Sequence, residues 1–216
     1  MKIYGISGLG ADKRVFDYLD LEHPLIPIEW IEPKTGESLK DYSHRLSKAI
    51  DLDSEFALLG VSFGGLVAIE ISKQLNPKMT IIISSIKKKN DLRCIYQIVG
   101  KLGLLKLLPK SLFSPPKFIA KYVFGANNKK LLYSILDDTD LNFAKWAVSR
   151  LLGWDNEDKI KNLLHIHGSK DKLIPLKNAN KVEIIKEGEH FMVVDKAREI
   201  SEKINHHLQN QIFKVK

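Results

Sequence analysis

Three residues of suitable type stand where covalent chemistry at a serine would need them. Gly60-Val61-Ser62-Phe63-Gly64 follows an apolar run directly and leads directly into a helix-like stretch. Glycine on either side of a serine lets a strand and a helix pass closely, and the tight turn stands the hydroxyl clear of the chain. The start of a helix at that point also favours developing negative charge. A serine hydroxyl is a poor nucleophile at neutral pH and needs a base, which a third group must orient. Of the seven histidines, His190 suits that role best, in Gly188-Glu189-His190-Phe191 just after the last expected strand. His165 and His167 lie on the preceding strand, where a structural role is expected. His206 and His207 lie far along the final helix, and nothing around His23 or His44 points to chemistry. For the orienting acid, Asp171 sits in His167-Gly168-Ser169-Lys170-Asp171-Lys172-Leu173-Ile174-Pro175, in a loop after a strand. A buried carboxylate there can hold an imidazole and stabilise its charged form. Asp195 and Glu189 are weaker candidates for the same task. Each feature also has an ordinary reading: an incidental serine in a glycine-rich turn, a histidine on a surface loop, and an aspartate bonded to its own backbone.

The elements that must position these residues follow a regular order. Residues 2–6 read as a strand ending in the small Ser7-Gly8-Leu9-Gly10, and residues 25–31, broken by Pro27, as an edge strand. Ser38 with Asp41 predicts a capping box, and Leu39, Tyr42, Leu46, Ala49 and Ile50 follow at helical spacing. Residues 56–59 read as a strand, and Gly64-Gly65 opens a helix to about Leu75. Residues 79–85 are a β-branched run expected of a strand buried on both faces. This alternation predicts a parallel sheet wound with helices. From Lys87 to about Trp154 the chain carries only helical signals and breakers: residues 92–108, then Pro109, Pro115 and Pro116, then Thr139 capping a stretch with Phe143, Trp146 and Ala147 on one face. The strand pattern resumes at residues 163–167 and 182–186, and residues 193–208 read as a final helix. The expectation is one α/β domain of about six strands, with its core in 1–86 and 155–216 and a helical insertion at 87–154.

Composition limits the classes. A chain of 216 residues fits one domain, and 44% hydrophobic with 28% charged residues is an ordinary globular balance. The single cysteine, Cys94, excludes an internal disulfide, so no oxidising compartment is indicated. The first residues lack the apolar core of a signal peptide, and no run approaches the roughly 18 residues that span a bilayer, so a cytoplasmic location is expected. The net charge of +8 is carried by residues 87–150, which hold 13 Lys or Arg against four Asp. It reads as a solvated helical surface, because no zinc-finger or RNA-binding motif accompanies it, and no nucleic-acid partner is expected. There is no H-E-x-x-H, no paired cysteine and no phosphate-loop pattern, so no metal and no cofactor are expected.

Taken together, the G-x-S-x-G after a strand, the H-G-x-x-D-x-x-x-P-like stretch and the G-x-H-F-like stretch resemble the α/β-hydrolase superfamily. The resemblance covers nearly the whole chain. It implies a nucleophile elbow at Ser62 and a triad in the order Ser62, Asp171, His190. It implies an oxyanion hole from the backbone N–H groups of Phe63 and Leu9, and a lid at 87–154. Two departures stand out: Ser7-Gly8 replaces the His-Gly common in the first loop, and the usual N-terminal hairpin is absent, so the first strand corresponds to the superfamily's third. A serine at the elbow argues against the dehalogenase and epoxide-hydrolase branches, which use aspartate. The expected reaction is hydrolysis of an ester or thioester with a small or medium apolar acyl part, and the expected partner is a small-molecule acyl substrate. Leu102, Leu104, Leu105, Leu107, Leu108, Phe113, Phe118 and Trp146 are candidates for an acyl pocket or for ordinary helix packing. The alternative is a ligand-binding or scaffold protein that has kept this fold without its chemistry.

Overall fold

The structure, a computed structural model, describes residues 1–92, 96, 109–177 and 179–213. β1 (Lys2–Ile6), β2 (Leu25–Pro27), β3 (Phe56–Val61), β4 (Met79–Ile83), β5 (Leu163–Gly168) and β6 (Glu183–Ile185) form one sheet. Their order is β2-β1-β3-β4-β5-β6, and every neighbouring pair is parallel. Helices α1 (Leu39–Leu46) and α2 (Phe63–Leu75) make the crossovers on either side of β3. β2 ends at Pro27, on the sheet edge, where a missing N–H costs no ladder bond.

Alternating side chains send the sheet's apolar residues to two opposite cores. Tyr4, Ile6, Leu58 and Ile82 pack with Tyr42 of α1 and Leu66 and Ile69 of α2. Ile3, Leu59, Val61, Ile81 and Ile83 pack on the other side with Ile200, Ile204 and Leu208. All six residues of β3 are buried, as a central parallel strand requires. The chain runs outward from β1 to β2 and then returns to the other flank of β1 as β3. Such a reversal opens a crevice beyond the carboxyl ends of β1 and β3, where open α/β sheets place their ligands.

Every regular element described between residues 87 and 154 is helical. These are short 3-10 turns at Lys89–Asp91 and Lys110–Phe113, then α3 (Lys117–Phe124), α4 (Lys129–Asp138) and α5 (Leu141–Gly153). The helix expected at 92–108 falls largely outside the described residues. The chain closes with the short α6 (Met192–Asp195) and the long α7 (Ala197–Phe213).

Several boundaries differ from expectation for local reasons. The capping box at Ser38 is half made: its hydroxyl accepts from the Asp41 N–H (3.1 Å) and donates to the Asp41 carboxylate (2.7 Å). α1 ends at Leu46, and residues 47–49 tighten into a 3-10 turn. β4 stops at Ile83 because Ser84 turns to φ 48°. Asp140, not Thr139, caps α5, accepting from the N–H groups of Asn142 (2.7 Å) and Phe143 (3.4 Å). The Thr139 hydroxyl is committed to the Ile135 carbonyl at the end of α4 (2.8 Å). The final helix is split at Lys196, beside Asp195, whose carboxylate holds the N–H groups of Asn127 and Asn128.

Candidate active site

Ser62 occupies the turn between β3 and α2 with φ 52° and ψ −118°, a conformation that a side chain rarely adopts. Its backbone is pinned on both sides. The Ser62 N–H donates to the Ile83 carbonyl (2.8 Å), and the Ser62 carbonyl accepts from the Gly65 N–H (3.0 Å) and the Ser85 hydroxyl (2.7 Å). The turn closes because its neighbours lack side chains. A Cβ on Gly60 would lie 2.3 Å from the Gly64 carbonyl oxygen, and one on Gly64 would lie 2.2 Å from the Ser7 carbonyl oxygen. Although Ser62 caps α2, its hydroxyl makes no capping bond.

That hydroxyl instead faces His190. His190 Nε2 is 2.9 Å from Ser62 Oγ, and His190 Nδ1 is 2.8 Å from Asp171 Oδ2. The other oxygen of Asp171 accepts the Ile174 N–H at 2.8 Å. Burial alone would raise the proton affinity of this enclosed carboxyl. The nearby His190, the Ile174 N–H and His167 outweigh it and hold Asp171 below the ordinary carboxylate range. An anionic Asp171 accepts a hydrogen bond from His190 Nδ1–H, the tautomer that leaves the Nε2 lone pair to accept from the serine hydroxyl. The two loops meet because a Cβ on Gly168 would fall 2.2 Å from the Gly188 carbonyl oxygen, a distance only glycine permits. The Lys170 N–H, donating to that same carbonyl at 2.8 Å, fastens the pair.

The remaining candidates lie apart from this chain of bonds. Glu189 pairs with Lys172, and Asp195 is engaged by Asn127 and Asn128. His44 contacts Gln74, His206 contacts Asn210, and His207 bonds the Lys203 carbonyl. His165 and His167 are buried behind Asp171. His167 Nε2 donates to the Ile174 carbonyl (2.8 Å) and lies 3.4 Å from Asp171 Oδ2. His165 Nε2 lies 3.1 Å from the Ser85 carbonyl and 3.3 Å from His167 Nδ1, and its own Nδ1 has no partner among the described residues. Burial lowers both imidazoles; His165, which also feels His167 and Lys87, falls to about 3. Sequence reasoning gave His167 a structural place but missed its contact with Asp171. The signal was the spacing of four residues across a glycine turn.

Ser62 and His190 open onto a cavity of about 100 Å³. Val15, Val61, Phe124, Leu132, Ile135 and Val193 supply its apolar walls, and no Asp, Glu, Lys or Arg is among the described lining residues. Leu9 lines the same cavity, and Phe63 is the first residue of α2, where a backbone N–H has no intrahelical acceptor. Of the apolar residues expected there, Phe113 lines the cavity. Phe118 does not, being 72% exposed, and Trp146 packs instead on Tyr42 with ring centroids 4.5 Å apart. Leu102, Leu104, Leu105, Leu107 and Leu108 lie outside the described residues. Among the described residues no group of three His, Cys, Asp or Glu is placed to hold a metal, and no helix is long and apolar enough to cross a membrane.

No protein-family model and no curated protein matches the chain. Solved structures do. A thermophilic esterase, 17% identical, matches over 97% of this chain and 90% of its own, with a TM-score of 0.71. MenH from S. aureus, 18% identical, matches over 98% and 94% with a TM-score of 0.69. A lipase-esterase related protein from Clostridium acetobutylicum, also 18% identical, matches over 95% and 93% with a TM-score of 0.68. At these identities the likeness is one of fold.

Proposed function

We propose that this chain, whose fold is that of the α/β-hydrolases, is a serine hydrolase acting on a carboxylic ester or thioester with a small or medium apolar acyl group. One observation carries the reading: the unbroken hydrogen-bond chain from Ser62 through His190 to Asp171, set at the mouth of an apolar cavity. Ser62 Oγ attacks the acyl carbon while His190 Nε2 takes its proton, and Asp171 stabilises the imidazolium that forms. His190 then protonates the leaving group, and an acyl-enzyme on Ser62 remains. Water, deprotonated by His190, attacks that ester and restores the serine. The developing oxyanion is received by the backbone N–H groups of Phe63 and Leu9; losing one such donor typically costs about 100- to 1000-fold in rate. The acyl group occupies the cavity, with Phe124, Leu132 and Ile135 as one wall, so that the described part of the helical insertion acts as its cover.

A fluorescent fluorophosphonate tests this without knowledge of the natural substrate. Wild-type protein should be labelled, and Ser62→Ala and His190→Ala should not. A folded wild type that stays unlabelled overturns the reading and leaves a ligand-binding protein built on this fold. Once labelling is established, a series of acyl esters should show a chain-length optimum; equal turnover of acetyl and long-chain esters would remove the assigned pocket.

A further inference from the structure

The helical insertion presents a surface that the proposed chemistry does not use. On α3 and the turn before it, Leu112, Phe118 and Tyr122 are 61%, 72% and 70% exposed, and Ile119 is also exposed. Large apolar side chains scattered singly over a surface need no explanation, but four within eleven consecutive residues form a patch. The inward side of the same helix is committed elsewhere: Ala120 is buried, and Phe124 lines the cavity and meets the His190 ring edge-on at 5.4 Å.

The sequence around this patch is rich in positive charge, although the Lys172 ammonium over the Tyr122 ring (4.6 Å) is itself paired with Glu189. Between Asp91 and Asp137 the sequence contains no Asp or Glu, and it carries eight Lys or Arg. Lys110, Lys117, Lys121, Lys129 and Lys130 flank the exposed apolar residues. Lys117 has an acid partner, Asp137. Lys121 instead lies against Lys129, whose ammonium group lowers its proton affinity. Two cations held side by side favour an anion from outside. Aromatic and aliphatic side chains ringed by lysine are the composition of helices that lie in the headgroup layer of a bilayer.

We propose that α3 and its flanking turn dock the protein on an anionic lipid surface, with Leu112, Phe118, Ile119 and Tyr122 entering the headgroup layer and Lys110, Lys121, Lys129 and Lys130 meeting lipid phosphates. A nucleic acid would satisfy the lysines but would leave the aliphatic side chains in water, so lipid is the better match. Docking there also sets the cavity beside the membrane, because Phe113, Ser114 and Pro115 line it from the segment that joins Leu112 to α3. Each lysine near an anionic bilayer contributes about fivefold in binding.

Sedimentation with vesicles of phosphatidylcholine, alone or mixed with phosphatidylglycerol, provides the test. The protein should bind the mixed vesicles at least about tenfold more tightly than the neutral ones, and added salt should weaken that binding. Lys121→Glu with Lys129→Glu should abolish it, and Phe118→Ser with Tyr122→Ser should reduce it about tenfold. Both double variants should keep wild-type fluorophosphonate labelling, because none of the four side chains lines the cavity. Equal affinity for both vesicle types, no binding to either, or tighter binding to a DNA duplex at the same salt would overturn the proposal. So would self-association of the free protein that is lost in Phe118→Ser with Tyr122→Ser. Failure of labelling with intact vesicle binding would count against the hydrolase reading alone.

Discussion

At the scale of single residues, the most informative group is one that never meets a substrate in the proposed reaction. His167 is a neutral imidazole whose Nε2–H donates to the Ile174 carbonyl and stands 3.4 Å from Asp171 Oδ2. It acts on the pair from behind, as a positioning residue. A donor facing a carboxylate lowers that carboxylate's proton affinity. Replacing His167 with Leu should therefore make the Asp171–His190 pair more basic. The acid limb of the labelling rate should move to higher pH by roughly half a unit, a shift worth about 0.7 kcal/mol. His167→Gln, which keeps an N–H donor, should bring the limb most of the way back. A pH profile unchanged in His167→Leu would reduce this histidine to packing. Asp171→Asn should be more severe, since its amide no longer enforces the Nδ1–H tautomer of His190; a loss on the order of 10⁴ in rate is expected.

At the scale of elements, the close approaches matter more than the side chains they carry. Gly60 and Gly64 let β3 and α2 cross at the Ser62 turn, and Gly168 with Gly188 brings the Asp171 and His190 loops together. An Ala at Gly168 meets backbone rather than a flexible side chain, so strain must be absorbed by the loop itself. Gly168→Ala should lower the urea unfolding midpoint by an amount equivalent to about 3 kcal/mol or more, and weaken labelling further than its stability alone explains. An unchanged midpoint would mean that the loops can separate without cost. These elements were largely legible in the sequence, because glycines, β-branched runs and apolar alternation are local signals. Ser62, Asp171 and His190 could be grouped from the sequence alone because each follows a strand. What stayed hidden depended on competition or on distance. Asp140 displaced Thr139 as a cap because the Thr139 hydroxyl had a carbonyl to bond in the preceding helix. Phe118 and Trp146 looked alike as apolar positions, and only tertiary packing sent one to solvent and the other into an aromatic cluster.

At the scale of the whole molecule, the buried imidazoles tie stability to pH. His165 titrates near 6.5 when unfolded and near 3 when folded, and His167 is shifted in the same direction. A folded-state value below the unfolded one gives stability that is complete above about pH 6.5 and is lost as pH falls from there toward 3. Asp171, also lowered, adds a loss that begins only below its ordinary value of 3.8. Each buried histidine should contribute a slope on the order of 1 kcal/mol per pH unit. The urea midpoint should accordingly drop between about pH 7 and pH 5, and His165→Leu should flatten that drop. A midpoint constant over this range would show that the imidazoles reach solvent when protonated. The contact between α3 and the His190 loop has a different consequence, for traffic in and out of the cavity. The Phe191 N–H donates to the Phe124 carbonyl at 3.0 Å, and Gly125, at φ 65°, leaves no room beside Glu189 for a side chain. These contacts tie the end of α3 to the His190 loop, so that swinging α3 outward would pull on His190. If His190 acts as proposed, opening there would separate base from nucleophile, and the Phe191 amide is expected to be among the slowest to exchange with deuterium.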